Sequence, residues 1–164
     1  MFRHRFARVL LATAALLSLS AVASADPAKG TVVYHGNTAK LEYVYLVKGP
    51  DAVDTATTIR ELVFSSTDLG PRIQACKTMS CVSGEVTDGI TVDLDAGPRL
   101  NYWVALNDQR VQYSGTARPS VLQTTADEAT KLAGTLRIDD TDAGGPKLEV
   151  QFDTKLLKEF QSAR

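Results

Sequence analysis

The sequence predicts an all-β fold, mainly antiparallel, in which about eight short strands form a single-domain β-sandwich; a small β-barrel is the alternative. Apolar and polar residues alternate over 132–138 and again over 148–156. Period-two alternation places one set of side chains on a buried face and the other in water. Residues 140–146 between the two runs are rich in turn formers, which predicts a β-hairpin. Turn signals recur at short intervals along the chain, and helical patterns are short.

The first 25 residues are expected to be a secretory signal peptide. Arg3, Arg5 and Arg8 form a basic start, residues 9–22 are apolar or small, and Ala23-Ser24-Ala25 has the A-x-A form of a cleavage site. The apolar segment is shorter than the roughly 20 residues that cross a bilayer, and no later segment is long enough to do so. We therefore expect one β-rich domain over 26–164, exported to the periplasm or secreted.

The charge balance of residues 26–164 excludes one class of partner. Without the three arginines of the leader, 15 basic residues face 19 acidic ones, a formal charge of −4. Acids and bases are interspersed, and no basic stripe is present. Nucleic-acid binding depends on such a stripe, so it is not expected.

Strand signals before the closing hairpin are enriched in aromatic and β-branched residues, which favour sheet. Two of these runs are separated by His35-Gly36-Asn37, a turn short enough for a hairpin. Residues 26–29 are expected to be a polar lead, 118–126 a polar connection followed by a possible helical turn, and 155–161 a short amphipathic helix. The earlier strands are predicted over 30–34, 40–47, 57–65, 89–95, 101–106 and 111–115.

Residues 66–84 interrupt the β pattern and predict one or two short helical turns. Asp68 is a suitable helix cap, and Pro71 is tolerated in a first turn. Cys76 and Cys81 are the only cysteines, and in an oxidising compartment they predict a disulfide. The chain has to turn between them, because five positions on a helix point about 140° apart. Their spacing is not C-x-x-C, and a zinc site would lack ligands, so no cofactor is expected.

A few single residues are candidates for catalysis or metal binding. His35 is the sole histidine after the leader, and its place before Gly36 favours a turn over a triad or general base. Asp139, Asp140 and Asp142 are weak candidates for a hard cation such as calcium, with solvated turn aspartates as the favoured alternative. Asp93 and Asp95 share an exposed face of a predicted strand, which would allow a carboxylate pair, but without a geometric partner they do not make an active site. No catalytic residue is therefore predicted.

Aromatic side chains of the central strands are the candidate binding surface. Most are expected to pack in the core, but Trp103 has the opposite parity to its strand neighbours. It is expected either to pack under a second layer or to be presented as a binding platform. The candidate surface consists of Trp103, Tyr43, Tyr45, Tyr102 and Tyr113.

Several strand motifs resemble those of a family of exported bacterial β-rich proteins of uncharacterised function. In that family a glycine-led strand precedes a Tyr-containing strand, a strand ending in small polar residues leads into a short helix, and a hairpin closes the domain. The resemblance implies an export signal and an all-β fold, and it carries no activity or site residue. The matching segments are 30–32, 41–45, 61–66, 134–137 and 150–153.

Three functions follow as hypotheses. The first is a non-catalytic binding or interaction module for an unknown protein or small molecule, which uses exposed sheet edges or the face bearing Trp103. The second is a carrier of a small apolar ligand, with Tyr43, Tyr45, Tyr102 and Tyr113 lining a cup. The third is a carboxylate- or metal-dependent enzyme, which is less favoured because the residue combinations that catalysis needs are missing.

Overall fold

A computed structural model describes residues 25–164 as one curled sheet of nine strands, a half-barrel, with two short helices against one face. The signal-peptide prediction lies outside the described residues except for Ala25. The helices are α1 (Gly70–Ala75) and α2 (Met79–Glu85). The strands are β1 (Asp26–Tyr34), β2 (Asn37–Pro50), β3 (Thr58–Ser65), β4 (Gly89–Asp93), β5 (Leu100–Ala105), β6 (Tyr113–Ala117), β7 (Leu122–Glu128), β8 (Lys131–Asp139) and β9 (Lys147–Glu159).

The all-β, mainly antiparallel prediction is confirmed, but the described strands belong to one sheet and not to the two sheets of a sandwich. Their order is β6-β5-β4-β3-β2-β1-β9-β8-β7. Every neighbouring pair is antiparallel, and beyond the start of β1 its two neighbours, β2 and β9, pair with each other in parallel. That direct pairing draws the two halves of the sheet together, since β1 no longer separates them there.

The first hairpin turns where the sequence predicts it. Tyr34 pairs with Asn37, so His35 and Gly36 form the two-residue loop, and both have positive φ (47° and 79°). Positive φ at both loop positions is the type I′ geometry that matches strand twist. The turn interpretation of His35 is confirmed, and its ring stacks on Tyr34 with centroids 4.0 Å apart.

Three local predictions were wrong, and each assigned residues of a strand to a loop or a helix. Residues 26–29 belong to β1, where the Asp26 carboxylate accepts hydrogen bonds from Thr154 Oγ1 and Lys155 N. The predicted connection and helical turn around 118–128 contain β7, which pairs along β8. The predicted closing helix is the end of β9, paired with β2 as far as Glu159. In each case pairing with a neighbouring strand overrides a weak local preference.

Two clusters of buried side chains lie on opposite faces of the sheet. The inner cluster fills the concave side with apolar residues from eight of the nine strands, including Leu46, Phe64 and Val150. The outer cluster joins β2 and β3 to the helices through Val47, Val63 and other side chains. Strand alternation divides neighbouring residues between the two clusters. No helix among residues 25–164 has the length and hydrophobicity needed to cross a membrane.

The helical interruption and the disulfide are confirmed. Pro71 lies in the first turn of α1 as predicted, but the N-cap is Leu69 and not Asp68. Asp68 lies one residue earlier, and its carboxylate accepts a hydrogen bond from Gly70 N at 2.8 Å. Thr78 caps α2, and the chain turns between the helices so that Cys76 and Cys81 are bonded with Cα atoms 5.6 Å apart. The bridge therefore links the end of α1 to the first turn of α2.

Candidate functional site

A pocket of about 330 Å³ opens on the outer face of the sheet, beside α2. We call it the tryptophan pocket. Its walls come from β3, β4 and β5, from the first turns of α2, and from the loops after β2 and before β6. It is lined by Pro50, Asp51, Ala52, Val53, Ile59, Glu61, Met79, Ser80, Ser83, Asp93, Asn101, Trp103 and Val111.

The floor of the pocket is set by strand register. Glu61 of β3 pairs with Asp93 of β4, which pairs in turn with Asn101 of β5. These three residues form one cross-strand row on the outer face. Trp103 is two residues further along β5 than Asn101, so it shares that face and provides an aromatic wall next to the polar row.

The carboxyl groups of Glu61 and Asp93, which we call the carboxyl pair, are within hydrogen-bonding reach of each other. Glu61 is only 5% exposed. Its Oε2 has one weak donor, the Ser83 hydroxyl at 3.5 Å. Oε1 of Glu61 and Oδ1 of Asp93 are buried and have no hydrogen-bond donor among the described residues. Because an unsatisfied buried acceptor is costly, the pair requires a proton or a cation.

Burial sets the protonation of this pair. It raises the pKa of Glu61 well above its ordinary value of 4.5, and the neighbouring Asp93 raises it further. Burial also raises the pKa of Asp93 to about 6, with Glu61 opposing and Asp51 reinforcing that shift. Two carboxylates in contact in a poorly solvated site cannot both ionise cheaply. The pair therefore holds a proton between them at mildly acid pH.

The rim of the pocket combines a fixed loop with exposed apolar groups. The buried Asp51 carboxylate accepts hydrogen bonds from Val53 N and Asp54 N, which holds the loop after β2. Three large hydrophobic side chains are exposed among the described residues, and two of them, Val53 and Val111, line this pocket. Exposed apolar groups around a cleft are typical of a binding site.

The five aromatic residues of the predicted binding surface do not form one surface. Tyr45 and Tyr102 are buried, at 1% and 0% exposure. Tyr43 and Tyr45 belong to the outer cluster, whereas Tyr102 and Tyr113 belong to the inner one. A cup lined by these four tyrosines is therefore not formed, and packed side chains fill the concave side. Of these five residues, only Trp103 lines the tryptophan pocket, and it is partly buried beside the helix layer.

The weak metal candidates in the last hairpin point to separate partners. Asp139 pairs with Lys147 at 2.9 Å and accepts a hydrogen bond from the Thr141 hydroxyl. Asp140 accepts one from the Tyr102 hydroxyl, and Asp142 is exposed. Within residues 25–164 the only close group of three metal-ligand side chains is Cys76, Cys81 and Glu85, and its sulfurs are joined in the disulfide.

Asp93 and Asp95 do not form the carboxylate pair that their shared strand face would allow. Asp95 lies beyond the end of β4, where Arg60 binds its carboxylate with Nε at 2.7 Å and Nη2 at 3.0 Å. This ion pair lowers the pKa of Asp95. The true partner of Asp93 is Glu61, which sequence reasoning missed. A signal was present: Glu61 is an acid between the apolar residues Ile59 and Val63 on one face of β3.

The site offers two chemical features: a carboxyl pair that can exchange its proton for a cation, and an aromatic and aliphatic wall that can cover an apolar body. A scan against models of protein families, a search of curated proteins and a search of solved structures each found no match to this chain.

Proposed function

We propose that this protein is an exported, non-catalytic binding module, and that the tryptophan pocket is its binding site. The observation that carries the proposal is the position of Trp103, Val53 and Val111 around a cleft whose floor holds buried acceptors without donors. Ligand sites are commonly apolar clefts with a few convergent polar groups. The expected signal peptide and the Cys76–Cys81 disulfide are both compatible with export.

The pocket is largely preformed, which favours binding. The loop of Asp51 is held by its own carboxylate, and α2 is held from the other side by backbone hydrogen bonds from Met79 N to Ser162 O and from Ser80 N to Ala163 O. A preformed site loses little conformational entropy when a ligand enters.

The test is a fragment screen by ¹H–¹⁵N NMR on the chain 26–164, using neutral, anionic and cationic compounds that fit about 330 Å³. We expect saturable shifts at the Trp103 indole N–H and at Val53 and Val111. The substitution Val111→Ser should weaken binding, and Val33→Ser, at another exposed valine, is the matched control. The absence of any saturable shift, or hits that map elsewhere and ignore Val111→Ser, would refute the proposal.

A further inference from the structure

We propose that the tryptophan pocket binds a primary organic ammonium group, with its nitrogen at Glu61 and Asp93 and its apolar body against Trp103, Val53 and Val111. This inference rests on the proposed function, because it names the class of ligand that the same site would take. The ammonium group belongs either to a free amine or to a lysine side chain of a partner, and the experiment below separates these two sources.

The sign of the ligand charge follows from what surrounds the carboxyl pair. Oε1 of Glu61 and Oδ1 of Asp93 are acceptors in need of donors. The only other titratable group that lines the pocket is Asp51, which is also acidic. Among the described residues, no lysine or arginine forms an ion pair with any of these three acids. At the rim, Arg164 donates a hydrogen bond to the carbonyl of Ala52 and not to any of the three acids.

The ligand should carry N–H donors. A primary ammonium has three donors, enough to bond to both carboxyl groups of the pair at once. A quaternary ammonium has the same charge and no donor, so it would leave both oxygens unsatisfied. The Asn101 side chain, which pairs in register with Asp93, adds a neutral acceptor next to the pair.

A divalent metal fits the site less well. Calcium takes 6–8 oxygen ligands, and magnesium takes six in near-octahedral geometry. Asp51, Glu61 and Asp93 do not bring three carboxylate oxygens within common reach in the described chain. The Asp51 carboxylate is also engaged by Val53 N and Asp54 N. The adjoining walls are formed by Trp103, Ile59 and Met79. These side chains can contact the apolar part of an organic ligand, but the only metal ligand among them is the weak Met79 sulfur.

Binding should be linked to proton release. The carboxyl pair retains a proton because burial and mutual repulsion raise the pKa of both groups. An incoming ammonium replaces that proton, so the proton goes to solvent as the amine binds. Affinity should therefore fall as the pH is lowered from neutral towards 5, although the amine stays charged throughout that range.

The experiment is a titration of the chain 26–164 at pH 7.5 with hexylammonium chloride, 1-hexanol and hexyltrimethylammonium chloride. Trp103 is the only tryptophan, so its fluorescence reports on this pocket alone. We expect hexylammonium to bind at least about tenfold more tightly than either analogue, which a single charge-assisted contact can supply. Calorimetry at pH 6 in phosphate and in Bis-Tris should give different heats, since the buffer takes up the released proton.

Variants identify the atoms responsible. Glu61→Gln and Asp93→Asn should each weaken hexylammonium binding about tenfold or more and abolish the buffer dependence of the heat. Glu42→Gln changes the net charge equally at an exposed position outside the pocket, and it should leave binding unchanged. Circular dichroism and thermal unfolding of each variant confirm that it folds.

The outcomes separate the inference from the proposed function. If hexanol or hexyltrimethylammonium binds as tightly as hexylammonium, or calcium chloride alone saturates the site, the ammonium inference fails and the binding pocket stands. If no compound perturbs Trp103 and the fragment screen is also negative, both fail. If Nα-acetyl-lysine amide binds as well as hexylammonium, the source is a lysine side chain; if only hexylammonium binds, it is a free amine.

Discussion

Arg60 and Asp127 form a hydrogen-bonded ion pair, with Nη1 2.6 Å from Oδ1, although four strands separate β3 from β7 in the sheet. The same guanidinium binds Asp95, so one side chain connects the end of β4 to the far edge of the sheet. Its planar fork suits this double role better than an ammonium group would. The contact is the product of curvature, since the two strands meet only when the sheet curls.

Replacing Arg60 should loosen the curl. The substitution Arg60→Met keeps the apolar stem and removes the contacts to Asp95 and Asp127, and we expect a loss of roughly 1 kcal/mol because the side chain is 18% exposed and its partners more so. Urea unfolding measures the change. Arg137→Met breaks an ion pair that is 57% exposed on both sides, and it should cost less than about 0.5 kcal/mol. Equal losses of unfolding free energy in the two variants would show that the Arg60 contacts stabilise the fold no more than an exposed ion pair does.

The stability of the protein should increase as the pH is lowered from 8 to about 5. The pKa values of Glu61 and Asp93 are raised on folding, so the folded chain binds more protons than the unfolded chain over this range. The free energy of unfolding then falls as the pH rises, by about 1.4 kcal/mol per unit of pKa shift at most. Thermal unfolding across this range should show the trend, and Glu61→Gln should flatten it while Glu42→Gln leaves it in place. A wild-type protein whose stability does not change between pH 8 and 5 would contradict the raised pKa values of Glu61 and Asp93.

At lower pH the trend should reverse. Hydrogen bonds from Thr141 and Lys147 lower the pKa of Asp139 to about 2, and Arg60 lowers that of Asp95. Groups with a depressed pKa contribute stability above their unfolded pKa near 3.9 and lose it as the pH falls towards the folded value. We therefore expect the free energy of unfolding to be largest between about pH 4 and 6, as measured by urea midpoints. The substitution Asp95→Asn should reduce the loss of stability that occurs as the pH falls below this range.

Removing the Tyr45 hydroxyl should destabilise the helix layer. That oxygen accepts a hydrogen bond from the buried Leu69 N at 2.6 Å and donates one to Asp68 at 2.7 Å. Tyr45→Phe leaves the Leu69 amide without its acceptor, which costs about 1–3 kcal/mol. Tyr43→Phe removes the same atom from a partly buried site on the same face and is the comparison variant. Denaturant unfolding measures the stability of both variants. Equal losses of unfolding free energy would contradict the role of the Tyr45 hydroxyl in joining β2 to the start of α1.

Breaking the Cys76–Cys81 disulfide should have a small effect on the whole fold. Chain-entropy arithmetic for so short a loop gives about 2 kcal/mol. Cys76→Ala with Cys81→Ala should lower the unfolding temperature while leaving the β-sheet signal in circular dichroism intact. Three residues of α2 line the tryptophan pocket: Met79, Ser80 and Ser83. We therefore expect the double variant to bind fragments more weakly even though its β-sheet signal is unchanged. Loss of all folded structure would show a larger role for the bridge.

Much of the fold could be predicted because alternation is local. The runs around Ile90 and Leu136 specify their own buried faces, and the predicted strands there coincide with β4 and β8 within two residues. The turn at His35-Gly36 was equally readable. The strand at 122–128 was not, because its exposed, polar residues acquire strand structure only by pairing with β8. The candidate site was partly visible in the parity of Trp103 and in the acid Glu61 between Ile59 and Val63, but the meeting of Glu61 with Asp93 was not.

The sequence by itself determined the compartment expectation, the all-β class, the helical interruption and the disulfide, since each depends on residues close together in the chain. Only the tertiary structure decided that the strands form one curled sheet and that Glu61 meets Asp93. Register across strands is a contact between distant segments, selected by the packing of the whole sheet. The site arises from that register, because it buries two acids side by side and places Trp103 on the same face.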